Sequence, residues 1–344
     1  MYELFLTTTV SREDFEMASA LLQGLTWMTP RHTVHRVLNY AGPAQPRGLP
    51  KTRTFQPLSP AAAAAAAAAG QQQAGQQQQQ LIRQFPLWQE LGKHLSRASY
   101  VLQLAYEVFP ETDFPSASAA VIDDGAAGAS GDVSGGNGTN SDSNQAGVGG
   151  ATEAFAPPPA TDLNATPGLL RWTDFPDPLR DSPVTQRKKV EIAECRNLLL
   201  TMADNNHSFR GEMIQESYTF VRGSVEFVFT QYYHLPDAAM RALSTGSGPS
   251  PTPAPGSSSS SSSPAPTLPA WADLRPVDPA RKWILSVRLS VVEDNQPEKM
   301  QKATDELLAV RGEMERLFEF KVVDRRVFDT RMAALPVGHG IRVP

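Results

Sequence analysis

The sequence predicts a mainly β protein of the α+β class, with an antiparallel sheet that is curved or closed around a core. The first observation is that long stretches alternate apolar and polar residues, which is the period-2 pattern of strands with one buried face. The second is that only a few segments show the three- and four-residue spacing of amphipathic helices. The third is that three low-complexity inserts fall between the predicted elements, where extra loop length costs little free energy.

Strands dominate the part of the chain that can fold. Helical spacing predicts helices over residues 15–25, 81–97 and 300–317. Ser11 and Asp14 resemble a capping box ahead of the first helix, and Asn295 with Pro297 suits the start of the last. Alternating apolar residues predict strands at 2–10, 33–40, 100–108, 169–172, 188–194, 198–202, 209–221, 225–233, 283–291 and 318–322.

The three inserts span residues 54–80, 115–166 and 244–270. They contain nine consecutive alanines, an acidic tract rich in Gly, Ser and Asn, and seven consecutive serines, respectively. Such segments bury too little apolar surface to offset the entropy of ordering them, so we expect them to be disordered. The remaining residues suffice for one large domain, which we place at 1–338, followed by a short C-terminal tail at 339–344.

Charge is distributed unevenly along the chain. The net charge at pH 7 is −5, and the insert at 115–166 alone holds six acidic residues and no Lys or Arg. The rest of the chain is therefore close to neutral. Because proteins that grip the phosphate backbone of nucleic acid are usually strongly basic, we expect no direct sequence-specific contact with nucleic acid.

Cysteine content and hydropathy predict the compartment. A single cysteine, Cys195, excludes a disulfide framework and any thiolate-rich metal cluster supplied by this chain alone. The first ten residues lack the basic and apolar regions of an export signal, and no run approaches the about 20 apolar residues that span a bilayer. We expect a protein of the cytosol or nucleus without a membrane partner.

No arrangement of residues in the sequence indicates catalysis, a cofactor or a metal. Gly92-Lys93 lacks the preceding glycine of a phosphate-binding loop. His32 and His35 are three residues apart, so on a strand they face opposite sides of the sheet and cannot share a metal. We therefore predict a protein without catalytic, cofactor-binding or metal-binding residues.

Barrel enzymes that hydrolyse triphosphates hold a metal with a Glu-x-Glu pair on one strand face, which this sequence does not provide. Glu313 and Glu315 have that spacing, but they lie on a predicted helix, where residues two apart point in different directions. The strand faces that would line a lumen are instead expected to present Leu, Val and Phe. A metal-dependent hydrolase thus has little support.

Three features are candidates for contact with a partner, and they give Trp172, Phe175, Tyr232, Arg325 and Arg326 as candidate interface residues. The loop with Trp172 and Phe175 is either an exposed docking site or a cover for one end of the sheet. The pair Arg325-Arg326 suits an acidic partner or a charged strand edge. Tyr232 lies on a strand face, where it suits stacking on a base of single-stranded nucleic acid.

Several stretches, in order along the chain, resemble the Mediator complex subunit 18 family of fungi. They cover nearly all of the foldable sequence and leave out the three inserts. The stretches include residues 1–10 (MYELFLTTTV), 170–178 (LRWTDFPDP), 225–236 (VEFVFTQYYHLP), 274–299 (LRPVDPARKWILSVRLSVVEDNQPEK) and 320–331 (FKVVDRRVFDTR).

This resemblance implies one multi-stranded antiparallel β-barrel with a few helices packed on it. It also implies a nuclear, non-enzymatic subunit in the head module of Mediator, the coactivator that links transcription activators to RNA polymerase II. The family's partners are subunit 20, which forms a heterodimer with it, and a C-terminal helix of subunit 8, with RNA polymerase II reached through the head module. Its members carry no catalytic residues, so none are transferred to this chain.

Two other functions stay open at the level of the sequence. One is a metal-dependent phosphohydrolase of the triphosphate tunnel type, whose fold is similar to that of the family. The other is a binder of single-stranded nucleic acid that uses aromatic side chains such as Tyr232. The near-neutral charge outside the acidic insert disfavours the second.

Overall fold

The computed structural model describes residues 1–52, 84–96, 100–115, 162–178, 182–236, 267–292 and 296–321. The predicted insert 54–80, most of the other two inserts, Arg325, Arg326 and the tail 339–344 lie outside these ranges. Two insert ends lie inside them, and their side chains join the fold: Leu163 and Leu268 are both buried.

Ten strands are found in the described residues, and eight of them are long. The two short ones, β5 and β9, each extend a ladder by two residues. In chain order the strands are β1 Tyr2–Val10, β2 Arg31–Ala41, β3 Val101–Glu107, β4 Gly168–Thr173, β5 Asp177–Pro178, β6 Thr185–Cys195, β7 Ser208–Arg222, β8 Val225–His234, β9 Arg275–Pro276 and β10 Trp283–Val291.

The eight long strands form a closed antiparallel barrel. Their order is β1-β10-β8-β7-β2-β3-β4-β6, and β6 pairs back with β1. The β1–β10 ladder runs the whole length of both strands, whereas β6 meets β1 over Tyr2–Phe5 alone. The predicted antiparallel β-barrel is therefore confirmed.

The chain after the last helix covers the half of β1 that β6 leaves open. Lys321 donates its backbone N–H to the carbonyl of Thr7 at 3.1 Å, and the Thr8 hydroxyl donates to the carbonyl of Glu319 at 2.8 Å. The predicted strand at 318–322 is wrong for residues 318–321, which lie beside β1 without strand geometry. Phe318 and Phe320 are nonetheless buried, because they belong to the apolar cluster that also contains residues of β1 and of the helix before them.

Four α-helices are found in the described residues: α1 Phe15–Thr26, α2 at 84–95, α3 Leu198–Asp204 and α4 Pro297–Met314. The strand predicted at 198–202 is wrong, because this stretch is α3. Its buried residues Leu198, Thr201 and Met202 follow the three- and four-residue spacing of a helix face. A run of consecutive apolar residues does not distinguish a short helix from a strand.

The apolar core lies outside the barrel. An eight-stranded barrel has room inside for side chains and none for helices, so the helices pack against the outer face. Leu4, Leu285 and Phe229 belong to a cluster that α1 and α4 cover. On the other side, Leu104 and Ile192 belong to a cluster that α2 and α3 cover. The expectation that Leu, Val and Phe line the lumen is therefore wrong.

Candidate functional site

The inner face of the barrel is polar and charged. Residues paired directly across an antiparallel ladder point to the same side of the sheet. Glu3 pairs with Arg187, and Phe5 pairs with Arg288, which in turn pairs with Glu226. Because the alternate residues of β1 face the outer core, this set faces the lumen. The same face includes Thr7, His35, Asn39, Gln103, Arg171, Lys189, Glu191, Ser217, Thr230 and Tyr232.

Glu3 is the centre of an ion-pair chain in the lumen. Its side chain is 1 % exposed, and its Oε2 accepts from Nε of Arg187 at 2.5 Å. Its Oε1 accepts from Nζ of Lys189 at 3.2 Å and lies 4.0 Å from Nη1 of Arg288. Three cations from two strands therefore converge on one buried carboxylate.

The series of ion pairs continues on both sides of Glu3. Nζ of Lys189 lies 2.9 Å from Oε2 of Glu191, and Nε of Arg171 lies 2.7 Å from its Oε1. In the other direction, Nε of Arg288 lies 2.7 Å from Oε2 of Glu226. We refer to this set as the lumen ion-pair chain, and it joins the five strands β4, β6, β1, β10 and β8.

The cations determine the protonation of the buried carboxylates. Burial alone would raise the pKa of Glu3, but Arg187, Lys189 and Arg288 outweigh it and lower the pKa to about 2. Burial also opposes ionisation of Glu191, and Lys189 and Arg171 again prevail, so its pKa is lowered. Both carboxylates are therefore ionised at neutral pH.

The carboxylates of the lumen are not arranged as a metal-binding site. The inner face of β1 reads Glu3, Phe5, Thr7, so an aromatic ring stands where a second carboxylate would complete Glu-x-Glu. Glu3, Glu191 and Glu226 each bind Arg or Lys. In the described ranges, no group of three His, Cys, Asp or Glu is arranged to hold a metal ion. The arrangement is that of a fixed internal salt-bridge network.

The two histidines considered for a shared metal are separated by the sheet, as the sequence predicted. His32 faces outward, where its Nε2 lies 3.0 Å from Oε1 of Glu216 and its ring stacks on Tyr218. His35 is on the inner face, paired with Glu107. Burial lowers the pKa of His35 despite the nearby Glu107 carboxylate.

Comparison with known families identifies the chain. The family model described as Med18 protein matches residues 2–331. The chain belongs to the Med18 family. No curated protein matches this Med18-family chain in a sequence comparison.

Solved structures similar to this Med18-family chain have low sequence identity to it. The Schizosaccharomyces pombe Mediator head module contains a chain 12 % identical to it, with a TM-score of 0.48 and 93 % of this chain and 98 % of that chain covered. A Pyrococcus horikoshii protein is 7 % identical, with a TM-score of 0.35 and coverages of 96 % and 99 %. A Hippeastrum protein with a dominant triphosphatase activity is 6 % identical, with a TM-score of 0.34 and coverages of 99 % and 100 %.

The structure separates the candidate interface residues of this Med18-family chain. Trp172 is buried under α2, with its ring stacked on His94 at 4.4 Å between centroids. Phe175 follows on the loop after β4 and is partly buried. Tyr232 faces the lumen, where burial raises its pKa against the opposing effect of the lumen arginines. Arg325 and Arg326 lie outside the described residues.

Sequence reasoning missed the lumen ion-pair chain. The polar faces of the strands look like solvent-facing residues when each strand is considered alone. A signal was present, because Arg187, Lys189 and Glu191 occupy alternate positions of one strand face. Alternation alone does not show whether such a face is solvated or enclosed, so the network became visible in the closed barrel.

Among the described helices, none combines the length and the apolar character needed to cross a membrane.

Proposed function

We propose that this Med18-family chain is a structural subunit of the Mediator head module and supports RNA polymerase II transcription in the nucleus by protein–protein contact. The family match over residues 2–331 is the observation that carries the proposal, since it spans the barrel, its helices and the segment that follows α4. The barrel acts as a rigid body that holds neighbouring subunits in place. No bond is made or broken.

The proposed partners are those of the family: subunit 20 as a heterodimer, the C-terminal helix of subunit 8, and RNA polymerase II through the head module. The test is co-expression of the full chain with subunits 20 and 8 of the same organism, followed by size-exclusion chromatography with light scattering. We expect one stable assembly that contains one copy of each subunit. A soluble monomer that elutes alone in every mixture would overturn the proposal.

The candidate interface residues divide into two kinds for mutagenesis. Phe175 and the pair Arg325-Arg326 are proposed as direct contacts, so Phe175→Ala and a double Arg→Glu change should weaken the assembly without unfolding the barrel. Trp172 is 6 % exposed and Tyr232 faces the lumen, so their substitution is expected to act through the fold. Circular dichroism melts separate the two outcomes.

A metal-dependent triphosphate hydrolase is the second candidate, and the charged lumen is the observation that favours it. Salt bridges to Arg or Lys on Glu3, Glu191 and Glu226 disfavour it, because a metal ion would have to compete with those cations for the carboxylate oxygens. The assay is manganese-dependent release of phosphate from RNA 5′-triphosphates or polyphosphate. We expect none above a buffer control, and activity that Glu3→Gln abolishes would establish the enzyme instead.

A further inference from the structure

Helix α1 has two apolar faces, and one of them faces away from the barrel. Ala18 and Leu22 are buried against the strands. On the opposite side, Met17 is 61 % exposed and Trp27 is 93 % exposed. Met17, Ala20, Leu21 and Gly24 are spaced by three and four positions and so share one side of the helix, and Trp27 follows as its C-cap. This outer stripe consists of Met17, Ala20, Leu21, Gly24 and Trp27.

Two residues of the outer stripe, Gly24 and Trp27, are not the residues that would make the protein most stable at their positions. Trp27 has φ 57° and ψ 29°, the left-handed region in which glycine is favoured at a helix end. Gly24 lies within the helix, and a Cβ at that position would meet nothing within 4 Å. Alanine there would favour the helix by about 1 kcal/mol. Residues that lower stability without a compensating contact in their own chain are typical of functional surfaces.

The outer stripe ends where the chain turns toward the barrel. The backbone N–H of Val221, near the end of β7, lies 3.0 Å from the sulphur of Met28, which follows Trp27. The side chain of Val221 belongs to the other face of the sheet, because Val221 pairs with Glu226, so it does not extend the stripe. An exposed apolar strip marks a binding surface more often than scattered apolar residues do.

Charges at the two ends of α1 indicate the chemistry of the molecule that covers it. At the N-terminal end, the three exposed acidic residues Glu13, Asp14 and Glu16 outnumber the one exposed basic residue, Arg12. At the C-terminal end, the Arg31 side chain is 73 % exposed. Ala20 and Gly24 leave a shallow notch between larger side chains, into which a row of side chains from another helix would fit. The complementary occupant is therefore a helix with one apolar face and basic residues at one end.

We propose that the outer stripe is the docking site for an amphipathic helix of a second protein. Its apolar face covers Leu21 and Trp27, and its Lys or Arg residues lie beside Glu13 and Glu16. The inference deepens the proposed function and rests on it in one respect, namely that the chain works inside a larger assembly. It assigns to that assembly a surface and a kind of partner.

The first experiment is photo-crosslinking of the full chain in cells. A photoreactive amino acid replaces Gln23, which is exposed beside the stripe, and the matched control places it at Ala309, which is exposed on α4. We expect position 23 to crosslink a peptide with apolar residues three and four apart and Lys or Arg at one end. Crosslinks no stronger than at position 309, or crosslinks to a second copy of this chain or to nucleic acid, would overturn the proposal.

The second experiment separates binding from folding. Trp27→Gly removes the ring and relieves the left-handed backbone, and Gly24→Leu fills the notch while favouring the helix. We expect both variants to melt at the same or a higher temperature than the unaltered protein. We also expect both to bind the crosslinked segment, made as a synthetic peptide, at least about tenfold more weakly. Unchanged binding, or lowered melting temperatures in both, would show that the stripe has a structural role alone.

A charge test completes the set. Glu13→Lys with Glu16→Lys should weaken the same peptide severalfold at low salt, and the loss should shrink at high salt. If subunits 20 and 8 fail to co-purify with the unaltered chain, the proposed function fails. If they co-purify but position 23 crosslinks no helix, this inference alone fails.

Discussion

The inside and the outside of the barrel are stabilised by different physical effects. The outer face carries separate apolar clusters under helices, and their stability comes from buried area and close packing. The inner face is a row of charges whose desolvation is offset by mutual attraction, as at Glu3 with Arg187 and Lys189. Apolar packing on the outside therefore stabilises the barrel, while the lumen ion-pair chain joins side chains of five strands on the inside.

The largest expected effect lies on the outer face. Phe229 is fully buried, with its ring 5.2 Å from that of Phe15 and 6.3 Å from that of Phe220. Phe229→Ala should lower the free energy of unfolding by about 3–5 kcal/mol, because it removes apolar area and leaves a cavity. Urea denaturation measures it, with Phe109→Ala as control, since Phe109 is 57 % exposed. Equal losses in the two variants would contradict an outer core.

A somewhat smaller effect is expected from the lumen. Glu3→Gln keeps the shape of the side chain but leaves Arg187 and Lys189 with less negative charge nearby. Removing one partner of a buried ion pair is strongly destabilising, so we expect a loss of about 3 kcal/mol. Glu226→Gln is the matched control, because the Glu226 carboxylate lies at the exposed end of the lumen ion-pair chain. This substitution should lower the free energy of unfolding by less than about 1 kcal/mol. If both variants lose the same free energy of unfolding, burial of Glu3 within the lumen ion-pair chain adds no stability beyond that of an exposed pair.

The same carboxylate should make stability depend on pH. The pKa of Glu3 in the folded protein is about 2, below its ordinary value of 4.5, so its contribution is full above pH 5 and is lost as the pH falls toward 2. We expect the free energy of unfolding to drop by about 3 kcal/mol over that range from this group, with Glu191 adding in the same direction. When denaturation is measured at a series of pH values, the free energy of unfolding of the Glu3→Gln variant should depend less on pH than that of the unaltered protein.

The smallest effect is expected at the surface between the barrel and α4. Nη1 of Arg222 lies 2.8 Å from Oε2 of Glu313, and both side chains are substantially exposed. Such pairs contribute little because water and salt screen them. Arg222→Gln should change the free energy of unfolding by less than about 1 kcal/mol in a thermal melt. A loss as large as that of Glu3→Gln would contradict the prediction that buried ion pairs in the lumen stabilise the fold more than exposed pairs do.

The strands were the most predictable part of the fold. Local alternation places β1, β8 and β10 almost to the residue, since a side chain's face depends on its own strand alone. The start of α1 was also anticipated, because Asp14 donates its backbone N–H to the Ser11 hydroxyl at 3.1 Å. The helix α3 was mistaken for a strand, since four neighbouring apolar residues satisfy either period. The N-cap of α4 is Gln296, and Asn295 lies outside the described residues.

The candidate site was less predictable than the fold. Trp172 was a candidate interface residue on a loop that could instead cover one end of the sheet, and its burial depends on α2, which is distant in the sequence. The outer stripe of α1 was overlooked because the buried face of that helix already explained its periodicity. A short helix with two apolar faces can pack through either of them, and only the position of the barrel shows which face is buried.

The sequence by itself determined that the chain is built from alternating antiparallel strands and that it resembles one family. The tertiary structure alone decided which face of those strands is the inside. Alternation with period two separates apolar from polar faces, but a closed barrel encloses one face and covers the other, so either could form the lumen. Closure brought Glu3 next to Arg187, 184 residues away, and a charge that would have been solvated on an open sheet became buried and paired.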